Sequence, residues 1–398
     1  PSAWPACGPR PRRRKIGPHC STMRVTSRRC VYSQPLNKKD FPPMKVGILT
    51  GGGDCPGLNA VIRAVTKSLI GYGQCEVLGI ADGFEGLMAP QPQARPLRWD
   101  DVSGILHRGG TILGTSNSAN PLKDAATLAQ VQANVQALGL QVVVAIGGDG
   151  TMSLAHGVAQ ATGMHCVGVP KTIDNDIAHC ERSFGFDTAV ATVTEALHRV
   201  ESTANSHHRV MIVETMGRHA GWLALEAGLA GGADVILLPE MDYDVPTIAA
   251  TCRRREERQR YTIICIGEGA KQSGDRQTVQ AHVPGSPDPV RLGGVGHVLR
   301  EQLQPYLNSE VRTTVLGHVQ RGGDPTPYDR VLATRYGHKA AQLVLAGQFG
   351  QMVTLQNGQI GSVPIAQVAN TQRKVPLDHE LLVMARDIGI CLGERAAG

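Results

Sequence analysis

No apolar run in this chain approaches the roughly 20 residues that a helical membrane span needs, which argues for a soluble protein with no membrane partner. Nor do its ten cysteines form a Cys-x-x-Cys pair or a zinc spacing. Cysteines such as Cys166 and Cys265 sit in apolar runs, as expected for buried, reduced thiols in a cytoplasmic protein rather than a disulfide framework. Aromatic residues are scarce at 4%, whereas glycines number 47, a balance that suits an α/β protein with many phosphate-contacting turns. The chain also lacks a Walker A loop and the dinucleotide-binding glycine spacing. It carries no convincing internal repeat.

The formal net charge of +6 arises from one end. Residues 1–43 hold ten bases (Arg10, Arg12, Arg13, Arg14, Lys15, Arg24, Arg28, Arg29, Lys38 and Lys39) against one acid, Asp40. The remainder is slightly acidic, which argues against nucleic acid as a partner of the body. The first 43 residues, rich in arginine and proline and without hydrophobic period, are expected to be a disordered basic extension. An upstream extension, a transit peptide and a basic arm are all compatible with that composition.

From Lys45 onward short apolar runs alternate with helical patterns. Strands are expected at 45–50, 76–80, 141–146, 165–169, 209–214, 233–238 and 261–266, and helices near 57–72, 101–107, 123–138, 151–162 and 186–203. Residues 271–290 read as a loop. Such alternation implies parallel sheets covered on both faces. At 398 residues there is room for two domains.

Three loops carry candidate chemistry. Thr50-Gly-Gly-Gly-Asp-Cys-Pro-Gly57 lies between a strand and a helix, where backbone amides can approach a phosphate; the same residues also suit a tight turn. Gly147-Gly-Asp-Gly-Thr151 follows a buried strand and places Asp149 at its carboxyl end, where one carboxylate plus phosphates can hold Mg²⁺; a helix-capping role for the acid is the alternative. Thr172-Ile-Asp-Asn-Asp176 offers Asp174 as a general base and Asp176 to tune it or hold metal-bound water; a solvated turn has similar composition. Further on, Arg209, Met216-Gly-Arg-His-Ala-Gly221 and the stretch Arg312–Gly323 set cations among glycines, as a phosphate group would require. His156, His165 and His179 have no metal-ligand spacing.

In order along the chain, LTGGGDCPGLNA, RGGTILGT, IGGDGT, PKTIDND, GFDTA, MGRHAGWLAL, IGEGA and VLGHVQRGG make this sequence similar to the 6-phosphofructokinases, from about Lys45 to the 390s. The resemblance implies an α/β fold of two doubly wound domains with mostly parallel sheets and the active site in the cleft between them. The donor-binding domain would span 44–184 plus 319–370, the sugar-phosphate domain 185–318 plus 371–398. It implies phosphoryl transfer from ATP, with Mg²⁺, to the 1-hydroxyl of fructose 6-phosphate, a step of glycolysis, by a homodimer or homotetramer. Gly53, Gly148, Asp149, Gly150 and Thr151 would line the donor site, with Asp149 the metal ligand. Thr172, Asp174 and Lys171 would be catalytic. Thr172, Asp174, Met216, Gly217, Arg218 and Glu268 would meet the sugar. Arg209, Arg312, His318 and Arg321 would hold its 6-phosphate, Arg209 and Arg312 from a neighbouring subunit.

The family divides between ATP and pyrophosphate as donor. Pyrophosphate users typically carry aspartate where this chain has Gly150, and lysine where it has Lys171. An acid at 150 would crowd and repel a nucleotide's α-phosphate, so glycine favours ATP, with pyrophosphate the alternative. The sequence departs from many ATP enzymes near Asn117, where an arginine is usual. Glu201 stands where the bacterial effector site usually has arginine, although Asp234 matches that site, so the usual effector control is not expected here. An NAD or lipid kinase shares Gly-Gly-Asp-Gly-Thr but not the rest of the set. A non-catalytic regulatory subunit would not be expected to keep Asp149, Asp174 and Asp176.

Overall fold

The strongest local signal, Val142-Val-Val-Ala-Ile-Gly147, forms a fully buried strand, as a β-branched run inside a parallel sheet must. It is the fourth strand of a computed structural model that describes residues 44–73, 75–258, 260–282, 290–369 and 371–395. In chain order the strands are β1 Lys45–Thr50, β2 Glu76–Ile80, β3 Ala94–Pro96, β4 Val142–Gly147, β5 His165–Pro170, β6 Val210–Thr215, β7 Val235–Leu237, β8 Thr262–Gly267, β9 Val279–His282, β10 Val290–Leu292, β11 Val311–Val315, β12 Gln351–Gln356 and β13 Gln359–Pro364.

Seven of these build one sheet in the order β13-β12-β5-β4-β1-β2-β3, parallel except for its two edge pairs. Four build a second, wholly parallel sheet in the order β11-β6-β8-β7. Both sheets fall within one compact unit. In the first sheet the chain runs from β1 outward through β2, then returns to β4 and β5 on the other side. The carboxyl ends of β1 and β4 therefore diverge at a topological switch point, where open α/β sheets bind ligands. The loops leaving those ends are Gly51–Gly53 and Gly148–Asp149.

Local signals explain most element boundaries. Asp124 accepts the Thr127 amide at 2.7 Å and starts the helix Ala125–Leu138, which Gly139 ends in the left-handed region. Asp244 caps Val245–Glu256 in the same way. The helix expected near 101–107 is absent: the segment turns instead, with Gly104 at φ +73° breaking any helical path. The expected loop at 271–290 holds β9 and β10, an antiparallel pair, with residues 283–289 outside the described residues. The edge pair β12–β13 and the long helix Pro327–Leu345 have no counterpart among the sequence-based elements. The basic stretch 1–43, read as disordered, also lies outside the described residues. Among those described, cysteines 55, 75, 166, 180, 252, 265 and 391 form no disulfide, and all but the last are buried; no helix is long and apolar enough to cross a membrane.

Thr151 packs its side chain against Gly51 and Gly147 at the carboxyl ends of β1 and β4. A Cβ at Gly147 would lie 2.3 Å from its Oγ1 and 2.4 Å from its own Cβ. Gly147→Ala is therefore expected to cost about 1–3 kcal/mol, read as a lower urea midpoint at unchanged m-value.

Candidate active site

Gly52 leaves β1 at φ +77°, and the segment Arg108–Ser116 closes over the loop that follows. The Gly52 amide donates to the Ser116 carbonyl at 3.1 Å, and the Thr115 hydroxyl donates to the Gly52 carbonyl at 2.6 Å. Asn59 ties the same segment down, its amide nitrogen on the carbonyls of Arg108 and Gly109 at 3.1 and 3.2 Å and its oxygen on the Ile112 amide at 2.8 Å. Asp149 opens the helix Asp149–Thr162, with Gly148 at its N-cap. At Gly150 an added Cβ would meet nothing within 4 Å.

After β5 the chain bends at residues 173–174. Lys171, Ile173, Asn175 and Ile177 are buried, while Thr172, Asp174 and Asp176 are half-buried. Asn175 adopts φ +52°. Its side chain turns inward, accepting the Ser183 amide at 3.0 Å and donating to the Glu181 carbonyl at 3.2 Å. Asn175 is thus scaffold, and its flanking acids are presented together. The Asp174 amide donates to the Thr172 hydroxyl at 3.0 Å.

These loops enclose a cavity of about 270 Å³ lined by Gly52–Asp54, Gly148–Thr151, Lys171–Asp174, Asp176 and Arg321. Asp149 and Asp174 thus open onto one space. Arg321 arrives from the turn Gly317–Arg321 that follows β11 in the second sheet. Its guanidinium lies across Gly53, where a Cβ would meet Nη1 at 1.4 Å. Lys171 donates its ammonium to the Gly53 carbonyl. Asp174 Oδ1 and Arg321 Nε are buried without a hydrogen-bond partner in the structure, as expected of groups that await a ligand.

The charges strain one another. Burial raises the pKa of Asp174, with Asp149 adding to it, against the pull of Arg321 and Lys171. Burial, then the charges of Asp174 and Asp149, push Asp176 up to about 7. Burial lowers the Lys171 ammonium. Glu268, at the carboxyl end of β8, is pushed up to about 7 by burial and then by Asp174. His219 is lowered by burial, then by Arg218 and Lys374, while Asp149 acts in the opposite sense. The loops after β6 and β8 therefore sit within electrostatic reach of the cavity.

Met216, Gly217 and Arg218 follow β6 directly. Gly217 takes φ +122°, and its carbonyl accepts the Gly269 amide at 3.3 Å. Gln320, fully buried, joins this loop to the turn bearing His318 and Arg321 by accepting the Met216 amide at 3.2 Å. Gln320 was not a sequence candidate, because its role is a hydrogen bond to a loop far along the chain. Within one chain, Arg209 and Arg312 do not line the cavity. Both pair with Glu310, Arg209 at 2.7 Å. His318 is exposed.

Among the described residues no three or more of His, Cys, Asp and Glu are placed to hold a metal alone. Asp149, in a cavity with room beside Gly150, fits instead the one-carboxylate mode by which Mg²⁺ is shared with substrate phosphates.

A second cavity, of about 480 Å³, is lined by Asp234 with Arg254, Arg255, Arg258 and Arg260. Asp234 pairs with Arg255 at 2.8 Å, and Glu201 accepts the Tyr261 hydroxyl.

A glycine loop, an acid at a helix start and an acid-bearing loop, closed by an arginine from a second parallel sheet, is the geometry outlined above. The phosphofructokinase family model matches residues 45–344. The chain belongs to the phosphofructokinase family. It is 45% identical to an ATP-dependent 6-phosphofructokinase of Chloroflexus aurantiacus over 358 residues, covering 88% of this chain and 98% of that one. It is equally 45% identical to a pyrophosphate–fructose 6-phosphate 1-phosphotransferase of Streptomyces coelicolor, covering 88% of this chain and all of that one. Among solved structures it is similar to phosphofructokinase from Saccharomyces cerevisiae, at TM-score 0.71 and 30% identity, covering 82% of this chain and 45% of that longer one.

Asp176 and Glu268 hold protons more tightly when folded (about 7 each) than an unfolded acid does, at about 4. Across that window the folded state binds more protons, so stability falls as pH rises. The unliganded protein should melt lower at pH 8 than at pH 5, and Asp176→Asn should flatten that slope in differential scanning calorimetry. The same variant removes a like charge from Asp174, so the acidic limb of its kcat–pH profile should move to lower pH.

Proposed function

We propose that this chain transfers the γ-phosphoryl group of ATP to the 1-hydroxyl of fructose 6-phosphate, giving fructose 1,6-bisphosphate and ADP. The observation that carries the reading is the shared cavity at the switch point, where Asp149 and Asp174 meet Lys171, Arg321 and the Gly53 backbone. The 45% identity to an ATP-dependent relative supports the donor. So does the open space at Gly150, which leaves room for the rest of a nucleotide. The donor half would comprise 44–184 and 319–370, the sugar half 185–318 and 371–398.

In this reading Asp174 accepts the proton of O1 as that oxygen attacks phosphorus. The bond to the bridging oxygen breaks, and its electron pair leaves on ADP. Thr172 orients the attacking hydroxyl. Burial raises the proton affinity of Asp174, which suits an acceptor that must take a proton from an alcohol. Lys171 and the Gly53 amide stand where charge spreads onto the phosphoryl oxygens. Asp149 would hold Mg²⁺, which, when bound, neutralises donor oxygens. On the sugar, Met216, Gly217, Arg218 and Glu268 bind the ring. His318 and Arg321 take the 6-phosphate, joined by Arg209 and Arg312 of a neighbouring copy in a homodimer or homotetramer. The described cysteines form no disulfide, which accords with a cytoplasmic setting.

One feature favours pyrophosphate as donor: the Lys171 ammonium lies inside the cavity, where it can meet a short diphosphate. The Streptomyces coelicolor relative points the same way.

Parallel assays with ATP and with pyrophosphate test the reading. Turnover with ATP is expected; turnover with pyrophosphate alone would reverse the donor. Gly150→Asp is expected to lower kcat/KM for ATP by about tenfold or more, and an unchanged value would remove the steric and charge argument. Asp174→Ser should keep sugar binding by calorimetry and lose about 10²- to 10⁴-fold in kcat; a near-native rate would exclude Asp174 as the proton acceptor.

A further inference from the structure

The loop that presents Asp174 and Asp176 is held by a residue almost two hundred positions downstream. After the β12–β13 edge, the chain returns as a strap in which Gln372 bridges antiparallel to Ile177. The Arg373 amide donates to the Asp176 carbonyl at 2.7 Å. Its Nη1 donates to the Asn175 carbonyl at 3.2 Å and to the Glu181 carbonyl at 3.1 Å. Arg373 therefore holds the carbonyls on both sides of the Asn175–Asp176 step, the place where Asn175 takes its left-handed φ. Left-handed backbone costs free energy in a non-glycine residue and persists where surrounding contacts impose it.

The same side chain reaches the sugar side. Its guanidinium carbon stacks 4.0 Å from the centre of the Trp222 ring, and Trp222 Nε1 donates to the Arg373 carbonyl at 3.1 Å. Trp222 is buried and starts the helix that follows Met216–Gly221. Glu240 closes the circuit by accepting the Gly221 amide at 3.0 Å and the Val375 amide at 2.9 Å. One arginine thus touches the acid loop after β5 of the first sheet and, through Trp222, the loop after β6 of the second.

We infer that Arg373 is a positioning residue for phosphoryl transfer: it sets the orientation of the Asp174–Asp176 loop relative to the sugar-binding loop through Trp222. Two features of arginine suit the task. Its Nη1 meets two carbonyls at once, and its planar face stacks on indole. Lysine offers a charge without the planar face. The inference rests on the reading of Asp174 as proton acceptor.

The test compares wild type with Arg373→Ala, Arg373→Lys and Val375→Ala, using ATP and fructose 6-phosphate, with melting temperature measured for each. Val375 is buried in the same strap, so trimming its side chain tests strap packing. Arg373→Ala is expected to lower kcat by about 10- to 100-fold, the scale of a misplaced reacting group, while the KM for the sugar changes less than about threefold. Arg373→Lys should fold and recover only part of that loss. Val375→Ala should melt lower with kcat within about twofold of wild type. A folded Arg373→Ala or Arg373→Lys enzyme with wild-type kcat overturns the inference. So does Val375→Ala losing kcat as deeply as Arg373→Ala, because the strap would then act only as structure. If instead Asp174→Ser retains full rate, the proton-acceptor reading fails, whatever the Arg373 variants do.

Discussion

Like charge forced into one dry space is the constraint on which this site depends. Asp149, Asp174 and Asp176 line a single cavity, where Lys171 and Arg321 supply the compensating charge among the described residues. At an effective dielectric of about 20, two like charges about 4 Å apart repel by roughly 4 kcal/mol. Burial first, and then that repulsion, push Asp176 and Glu268 up to about 7, so proton uptake relieves the site in the free protein. A phosphate donor carrying its cation would relieve it in the complex. The site is thus destabilised when empty and stabilised by the ligand its chemistry calls for.

Backbone geometry makes the crowding possible. Gly53 lets the Arg321 guanidinium lie where any side chain would collide, and Gly52 supplies the left-handed backbone before it. The bent run after β5 brings Thr172, Asp174 and Asp176 to one cavity, with Asn175 in the left-handed region between the two acids. Asn175 spends its polar side chain on the loop itself, through Ser183 and Glu181. The strap at Arg373 holds this arrangement from behind. A loop that presents three polar groups to a cavity needs as many polar contacts on its reverse face.

The two donor signals line one cavity and do not exclude each other physically. Gly150 leaves volume, which a nucleotide needs and a diphosphate does not. Lys171 supplies charge close to Gly53, which either donor can use. Relatives of both kinds at equal identity reflect the same balance. The phosphate-binding cations divide as well: Arg321 enters the cavity of its own chain, while Arg209 and Arg312 gather on Glu310 away from it.

Legible in the sequence were the central strands, since β1, β4, β5, β6 and β8 are continuous apolar runs that only a buried parallel sheet accommodates. So were Gly53, Asp149 and Asp174, because glycine turns and paired acids at strand ends are local patterns. The strands shifted by a residue at their ends, and the 101–107 helix failed, because Gly104 outweighs a short apolar period. What only the tertiary structure decided is which distant residues share the cavity. Arg321 and Arg312 sit in one cationic stretch of sequence yet part company in space, since a turn carries one inward while the other stays on β11. Gln320, Trp222, Glu240 and Arg373 carry no local mark, because their roles are hydrogen bonds and stacking to partners far along the chain. A sequence written in one dimension encodes strand, turn and acid locally; the meeting of two sheets, set by packing of their covered faces, chooses the charges that surround those acids.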